Sequence, residues 1–384
     1  MDLKNFKLTS PSDFTIGILG GGQLGKMIAM ECRKLGINVV CLDPKENAPA
    51  SLVCKQITGK LNDKEKIIEL NNQVDIITYE IEHIDTEILK EVLPEDKVYP
   101  SIQILEIIQD KYQQRCFFKK NNIPVPEFFE LNSPDDIKKY IPCVQKTKKG
   151  GYDGRGVIVV KSEKDLDKVL TEDSYIESLV DIEKELATIV VRNIKGNIKV
   201  YPIVEMIFNP EGNLLDYLLV PADIDEKLHK LAQEISISAV ESLDGVGVFG
   251  VELFLTKKGE ILLNEVAPRV HNSGHHTIEA CETSQFEQLV RVLTNLPLGS
   301  TYQYIPAALI NLLGEKGYKG KPFYENLDKV LTIDGVYVHI YGKKETFPFR
   351  KMGHITILDR DRNLLVEKTK VIKSLIKVKG EVKI

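Results

Sequence analysis

A chain of 384 residues is too long for one small module and fits two or three domains of about 100–200 residues each. With 43% hydrophobic and 28% charged residues, it has the make-up of a globular protein and is too rich in apolar residues for a disordered one. Its 51 basic and 56 acidic residues leave a net charge of −5, so no basic excess favours nucleic acid or anionic lipid, while a local cationic pocket for a phosphorylated metabolite stays open.

The longest apolar runs, such as 305–313, fall short of the ~20 residues that a membrane helix needs. Residues 1–13 alternate charged and polar side chains without the apolar centre of a secretory signal, so a cytoplasmic protein is expected. The six cysteines, Cys32, Cys41, Cys54, Cys116, Cys143 and Cys281, form no Cys-x-x-Cys pair and read as reduced core thiols.

Residues 15–19 form a short apolar strand, 20–22 a glycine turn, and 23–35 a helix with Leu24, Met27, Ile28 and Leu35 on its inward face. Gly36 ends that helix. A second strand at 37–42 closes on Asp43-Pro44, and a later one at 74–79 follows the helical stretch 64–71. Such units build a parallel, doubly wound sheet. From Ser101, an N-cap after Pro100, one long helix is predicted with Ile104, Leu105, Ile108, Tyr112 and Cys116 buried, ending near Asn121-Asn122.

Ile123-Pro124-Val125-Pro126 reads as a boundary. A smaller unit follows, with strands at 143–147, 157–160 and 175–178, a loop at 148–156 and a helix after Ser162. Beyond Glu185 the pattern turns to hairpins: strands at 186–191 and 198–207, turns at 193–196 and 209–213, a helix at 223–243, and an apolar hairpin at 246–266 turned at Lys257-Lys258-Gly259. The expected division is 1–122, 123–182 and 183–384, a parallel α/β domain, a small middle domain and a mainly antiparallel α+β domain with a small C-terminal β extension.

Gly20-x-Gly22-x-x-Gly25 follows a strand and opens a helix, with Asp43 closing the next strand, which fits a dinucleotide fingerprint. Its physical content is an anion site, since glycines let backbone N–H groups approach a phosphate; a turn whose glycines merely permit tight packing is the alternative. A P-loop is rejected because Met27 stands where a hydroxyl should hold Mg²⁺.

Glu252 and Glu265 lie almost equidistant from the hairpin turn and should face each other in apolar surroundings, where like charges call for a bound cation or a proton. Mg²⁺, helped by the Asn264 amide and nucleotide phosphates, is one solution; a one-residue register slip that sends one acid to solvent is the other. The loop 148–156 combines four glycines with Arg155 and the neighbouring Lys146, and either folds over a polyphosphate or is a mobile surface hairpin. The donor-rich stretch 267–276, with His271, His275 and His276, should line a pocket; Pro268 and Gly274 speak against a helical zinc motif, and a structural polar turn is the alternative. Thr78-Tyr79-Glu80-Ile81-Glu82 ends a sheet strand, so its acids either hold ribose hydroxyls or are solvated. Arg350-Lys351 resembles a small phosphate clamp.

Taken together, Gly20–Met27, Thr78–Glu82, Gln109-Asp110-Lys111, Gly150–Gly156, Asn264–Arg269, His271–His275, Ser284–Glu287, Leu296–Gly299 and Lys351–His354 resemble the ATP-grasp enzymes, specifically the N5-carboxyaminoimidazole ribonucleotide synthase family of purine biosynthesis. The resemblance runs from Ile16 to about His354 and implies an ATP-grasp architecture whose middle domain is a lid. It also implies an ATP-dependent carboxylate-amine ligase that joins bicarbonate to aminoimidazole ribonucleotide, a homodimer, and no nucleic-acid or membrane partner. By resemblance, Gln23 and Leu24 would hold the ribonucleotide phosphate, Glu80 or Glu82 its ribose, Ser273 would lie with the substrate, and Arg350 and Lys351 would meet the phosphate. Lys111, Lys146 and the loop with Gly151, Gly154 and Gly156 would contact ATP phosphates, Glu177 to Val180 would border adenine, and Glu185 would bind the ATP ribose. Glu252 and Glu265 would ligate Mg²⁺ (or Mn²⁺), Asn264 beside them would belong to the ATP-binding residues, and Tyr152, Asp153, Arg155, Arg269, His271 and Asn272 would surround the reacting groups.

The chain departs from the family pattern at Phe208, where histidine is expected, at Lys111 for arginine, and at Val270, His276 and Leu289 for proline, tyrosine and histidine. Lys111 keeps charge but loses bidentate geometry. The competing readings are an NAD-dependent oxidoreductase built on the glycine motif, another ATP-grasp ligase such as a formate-dependent transformylase, and a non-catalytic nucleotide-binding scaffold.

Overall fold

The computed structural model describes residues 3–131, 133–151, 156–209 and 214–383. Strands β1 (Thr15–Leu19), β2 (Asn38–Asp43), β3 (Lys55–Thr58) and β4 (Ile76–Tyr79) form a parallel sheet of order β3-β2-β1-β4, with helix α1 (Gln23–Lys34) between β1 and β2, the 3-10 turn Pro49–Leu52 between β2 and β3, helix α2 (Lys64–Asn71) between β3 and β4, and α3 (Thr86–Val92) after β4. Their near-continuous apolar runs follow from cover on both faces. The chain moves outward from β1 through β2 to β3 and then returns to the other side of β1 as β4, which opens a crevice at the carboxyl ends of β1 and β4.

The single long helix predicted from Ser101 is two helices, α4 (Ile102–Gln109) and α5 (Lys111–Lys120). Asp110 adopts ψ 104° between them, and its carboxylate caps α5 by accepting from Gln113 N at 3.0 Å. The Lys111 amide, freed by the break, donates to Lys148 O at 2.7 Å, so the kink joins the first domain to the next.

The middle unit is an antiparallel sheet of β5 (Phe128–Glu130), β6 (Cys143–Thr147), β7 (Val157–Val160) and β8 (Ser174–Ser178), in the order β5-β8-β6-β7. The helix expected after Ser162 is a short 3-10 helix, Glu163–Lys168, opened by a Ser162/Asp165 capping box. A nine-stranded antiparallel sheet follows, built from β9 (Ile182–Arg192), β10 (Ile198–Val200), β11 (Val204–Asn209), β12 (Leu214–Val220), β13 (Gly247–Thr256), β14 (Ile261–Ala267), β15 (Ala307–Leu313), β17 (Val336–Ile340) and β18 (Lys351–Leu358); β16 (Tyr318–Glu325) pairs apart from it with β19 (Lys377–Lys383). Helices α6 (Glu226–Ser242), α7 (Thr277–Ala280), α8 (Gln285–Leu293), α9 (Leu327–Val330) and α10 (Arg362–Leu375) complete it. The strand expected at 198–207 is split into β10 and β11 around Pro202, which has no N–H for a ladder. The turn expected at 209–213 lies, but for Asn209, outside the described residues.

Ile28 and Cys32 of α1 share one core with Phe286, Leu289 and Val290 of α8, Val191 of β9 and Val248 of β13. The parallel domain and the large sheet are therefore one packed body. Three of the departures noted above, Val270, His276 and Leu289, are buried in it. Among the described residues no helix is long and apolar enough to cross a membrane.

Candidate active site

In the β13–β14 hairpin Glu252 faces Glu265, but Leu253 faces Leu263, so Asn264 is an extra residue in a β-bulge. The register slip is thereby excluded. A bulge re-aims a side chain, and here the Asn264 amide joins the acid pair: its Nδ2 donates to Glu252 Oε2 at 3.5 Å, while its Oδ1 accepts from Lys146 Nζ at 3.4 Å and Arg115 Nη2 at 3.5 Å. Burial and the facing Glu265 push the Glu252 carboxyl up to about 8. Burial acts the same way on Glu265, but Lys111, Lys146 and Arg115 outweigh it and hold that carboxyl below its ordinary value. One acid of the pair thus keeps its proton at neutral pH.

That asymmetry sets a sign. The folded Glu252 binds a proton that the unfolded chain, with an ordinary carboxyl, has already lost between roughly pH 4.5 and 8. In chelator, stability therefore falls as pH rises through that window and levels off above it. Glu252→Gln should flatten this decline in a series of melting temperatures; an unchanged slope would refute the assignment.

The wall beside the pair is a buried charge cluster. Glu177 on β8 accepts from Arg115 Nε and Tyr175 Oη at 2.7 Å each and meets Lys146 Nζ at 2.7 Å. Burial alone would raise Glu177, but Arg115 and Lys146 hold it at about 2. Burial lowers Lys146 from the ordinary lysine value. The Glu177 carboxylate is thus fully engaged by these groups. Arg115 was missed in the sequence: α5 buries Gln114, Arg115 and Phe118, while Tyr112 and Cys116, expected on the buried side, are only half-buried. Lys111 Nζ lies 3.8 Å from Glu265 Oε2. Glu185 on β9 is held above the ordinary carboxylate value by burial, and its charge is felt at Glu252. Phe208 lies on β11, beyond the Met206 that pairs with Glu185.

Of the glycine loop, Gly150 (φ +70°), Gly151 (φ +72°) and Gly156 (φ +75°) are described. A Cβ on Gly156 would meet Thr147 Oγ1 at 2.5 Å. Tyr152, Asp153, Gly154 and Arg155 lie outside the described residues.

The crevice at the parallel sheet differs from the sequence expectation. The Glu80 carboxylate enters the turn and accepts from Gly22 N and, at 2.7 Å, from Gly25 N. A Cβ on Gly20 or Gly22 would strike the Glu80 side chain at 2.5 Å. The glycines therefore admit an internal carboxylate, which occupies the helix N-terminus where an external phosphate was expected. Asp43, expected near a ribose, accepts from Gly21 N and Lys45 N, both at 2.8 Å, and so braces the same turn. Glu82 forms a two-point ion pair with Arg269, at 3.0 and 3.1 Å, and Gln109 fixes its loop by donating to Glu82 O and Ile84 O. Gln23 and Leu24 begin α1 at the lip of this crevice.

Across it runs the segment between β17 and β18. Lys26 Nζ donates to Ile340 O at 2.9 Å and Lys343 Nζ to Lys351 O at 2.7 Å. Burial, with Arg350 nearby, lowers Lys343 to about 8. Arg350 lies over the Phe347 ring and donates to Glu345 O. Lys343 is a second residue missed in the sequence, where it is one of many surface-type lysines. Lys351 is felt electrostatically by Glu252, His271 and Lys343, so it stands between the acid pair and the cationic crevice.

His271 Nε2 sits 3.6 Å from Glu252 Oε1, and its Nδ1 meets Ser273 Oγ at 2.9 Å. Burial, aided by Arg269 and Lys351, lowers the imidazole to about 3, so it is neutral and the contact is not an ion pair. Gln285 holds the His271 backbone from both sides, accepting from its N at 2.8 Å and donating to its O at 2.7 Å. Asn272 exchanges amide hydrogen bonds with Asn311. His275 and His276, expected to line the pocket, are 1% and 0% exposed and belong to the core. Among the described residues no three His, Cys, Asp or Glu side chains are placed together to hold a metal.

Family models match almost end to end: a ribonucleotide synthetase preATP-grasp domain over residues 14–109, an ATP-grasp domain over 116–286, and a phosphoribosylaminoimidazole carboxylase C-terminal domain over 307–368. The N5-carboxyaminoimidazole ribonucleotide synthase of Aquifex aeolicus is 41% identical over 375 residues, covering 94% of this chain and 97% of that protein. The chain belongs to the N5-carboxyaminoimidazole ribonucleotide synthase family. It is an ATP-grasp ligase of purine biosynthesis. The chloroplastic phosphoribosylaminoimidazole carboxylase of Vigna aconitifolia is 42% identical over 90% of this chain, which spans only 64% of that longer protein. The N5-carboxyaminoimidazole ribonucleotide synthetase of Thermotoga maritima superposes with a TM-score of 0.90 at 50% identity, covering 96% of this chain and all of that one. The Aspergillus clavatus synthase, solved with ADP and 5-aminoimidazole ribonucleotide, matches at 32% identity and TM-score 0.84, covering 93% and 99%. The synthase-family resemblance seen in the motifs thus holds across the whole fold, and the oxidoreductase reading falls with it.

Proposed function

We propose that this chain converts ATP, bicarbonate and aminoimidazole ribonucleotide to ADP, phosphate and N5-carboxyaminoimidazole ribonucleotide. The observation that carries this reading is the continuity of the two half-sites: the acid pair with its lysines meets the cationic crevice through Lys351, Arg269 and His271. In this reading the unit 123–182 is a lid, Lys111 and Lys146 with Gly151, Gly154 and Gly156 take the ATP phosphates, the 177–180 backbone borders adenine, and Glu185 takes the ribose. The donors of Glu252, Glu265 and Asn264 are all oxygen and carry one titratable proton to displace, which fits a hard divalent ion such as Mg²⁺, or Mn²⁺. Such an ion, when bound, would neutralise charge on the polyphosphate.

The chain's own groups do the rest. Lys146 and Lys111 complement the anionic polyphosphate as its terminal group passes to bicarbonate, where positioning and electrostatics dominate. Neutral His271, held by Gln285, together with Asn272, Ser273, Tyr152, Asp153, Arg155 and Arg269, surrounds the carboxyl group and the amine. Arg350, Lys351 and Lys343 receive the ribonucleotide phosphate, with the Gln23 and Leu24 amides. Since Glu80 is engaged by the glycine turn, contact with the ribose falls to Glu82 beside Arg269, or requires Glu80 to leave the turn. A closed lid would keep water from the activated carboxyl group. A homodimer in the cytoplasm completes the proposal.

The deciding experiment is ADP release by the purified chain. It should require both bicarbonate and aminoimidazole ribonucleotide; release driven by formate and glycinamide ribonucleotide would turn the assignment to a transformylase. Lys351→Ala should raise the KM for the ribonucleotide by roughly tenfold or more while leaving that for ATP near its parent value. An unchanged ribonucleotide KM would count against the phosphate role.

A further inference from the structure

Asn311 on β15, His354 on β18 and His339 on β17 stand directly opposite one another across three neighbouring strands, so their side chains share one face of the large sheet. Across that face lies the segment that begins at the 3-10 turn Asn272–Gly274 and ends in α7, and it meets the strands one after another. Asn272 exchanges two amide hydrogen bonds with Asn311, at 2.8 and 3.1 Å, the His275 ring lies 4.8 Å from that of His354, and Glu279 Oε1 is 2.6 Å from His339 Nε2. The spacing 272, 275, 279 is one face of a helix. Its rise over seven residues, about 10 Å, matches the ~10 Å between the first and third of three adjacent strands.

His354 is the middle of this row. Its ring is stacked on His339 at 4.4 Å and 11°, its Nδ1 is 3.0 Å from Tyr341 Oη, and its Nε2 has no hydrogen-bond partner among the described residues. Burial, with His275 and His339 beside it, holds the imidazole well below its ordinary value, so the ring is neutral and stacks without charge repulsion. From His354 contacts lead both ways. Toward the reacting groups, His275 Nδ1 meets Gln285 Nε2 at 3.1 Å, and Gln285 holds the His271 backbone. Toward the cationic crevice, Lys343 Nζ lies 5.7 Å from the centre of the Tyr341 ring, and Lys26 Nζ donates to Tyr341 O at 3.4 Å.

We infer that His354, with Glu279 bracing the same row, is a positioning residue: it fixes the segment carrying His271 and Asn272 to the strands and loop carrying Lys343 and Lys351, and so sets the distance between the ribonucleotide phosphate and the carboxyl group that its amine attacks. Both side chains act through other residues. The inference rests on the function proposed above and deepens it. A loosened row spares ATP cleavage, because the acid pair and its lysines stand on other elements, but the amine no longer meets the activated carboxyl group in time. Water then attacks the carboxyl carbon in its place, the bond to the phosphate oxygen breaks, and bicarbonate and phosphate are returned after ADP has formed.

The test uses the full chain and measures, at the same early times, ADP formed and labelled bicarbonate fixed on the ribonucleotide. Tyr341→Phe removes the hydroxyl bonded to His354, and Glu279→Ala removes the carboxylate bonded to His339. Both should raise ADP per carboxyl group fixed at least about twofold and lower kcat/KM for the ribonucleotide roughly tenfold, with the KM for ATP unchanged. Glu279→Gln, which keeps an oxygen for His339, should restore the parent ratio. If Glu279→Ala fails to fold, Tyr341→Phe decides, since it removes a single oxygen atom. Variants that melt lower yet keep the parent ratio give the row a structural role and overturn the inference, as do variants with parent kinetics throughout. A parent chain without ribonucleotide-dependent turnover fails the function proposed above and takes the inference with it; a parent that turns over beside variants that stay coupled fails the inference alone.

Discussion

Glu265→Ala reduces ATP turnover by roughly 10³-fold, about 4 kcal/mol in the barrier, while the protein stays folded. The expectation rests on Glu265 being the ionised member of the pair, kept so by Lys111, Lys146 and Arg115. In the proposed function its loss would leave a single carboxylate to face the divalent ion. Folding is spared because the side chain is 45% exposed and its removal relieves the repulsion that raises Glu252. Steady-state ADP release and a melting curve in chelator settle the matter together. Parent-level turnover would remove the acid pair from the reaction, and a collapsed melting curve would assign it a structural role instead.

Arg115→Met produces the largest loss of stability expected of a single change in the cleft. Arg115 and Glu177 are 2% exposed each and joined at 2.7 Å. Removing the arginine leaves a buried carboxylate with one cation where it had two, a change that typically costs roughly 3–5 kcal/mol. Urea denaturation should show a large drop in midpoint for Arg115→Met. The double variant Arg115→Met, Glu177→Leu should recover part of it, because the unpaired charge is then gone. If both variants unfold at the parent midpoint, the cluster does not stabilise the fold. Lys146 adds a functional consequence: with Arg115 absent, Glu177, already 2.7 Å from Lys146, should draw it more strongly, away from Asn264 and the proposed polyphosphate position.

Much of this site was legible from local pattern. The facing of Glu252 and Glu265 follows from counting outward from one tight turn, since a hairpin ties register to its loop. The anion-type turn at Gly20–Gly25 is likewise local, a strand, a glycine run and a helix in succession. Other features depend on contacts between residues far apart in the chain. The bulge at Asn264 needs the Lys146 and Arg115 side chains, 118 and 149 residues away, to receive its carbonyl. The break at Asp110 is marked by an Asp-x-x-Gln cap, yet an apolar stripe continuing through Tyr112 and Cys116 hides it until the Lys111 amide meets Lys148 O.

From its sequence alone, then, this protein declared its family, its order of strands and helices, and the acid pair, because each is carried by short-range periodicity or by motifs in fixed succession. Only the folded chain decided what fills the glycine turn, which acid keeps a proton, and which histidine reaches the cleft. The glycine turn takes the carboxylate of Glu80, 58 residues beyond the amide it binds. Such outcomes depend on burial and on charges brought close through space, and neither quantity exists until distant segments pack.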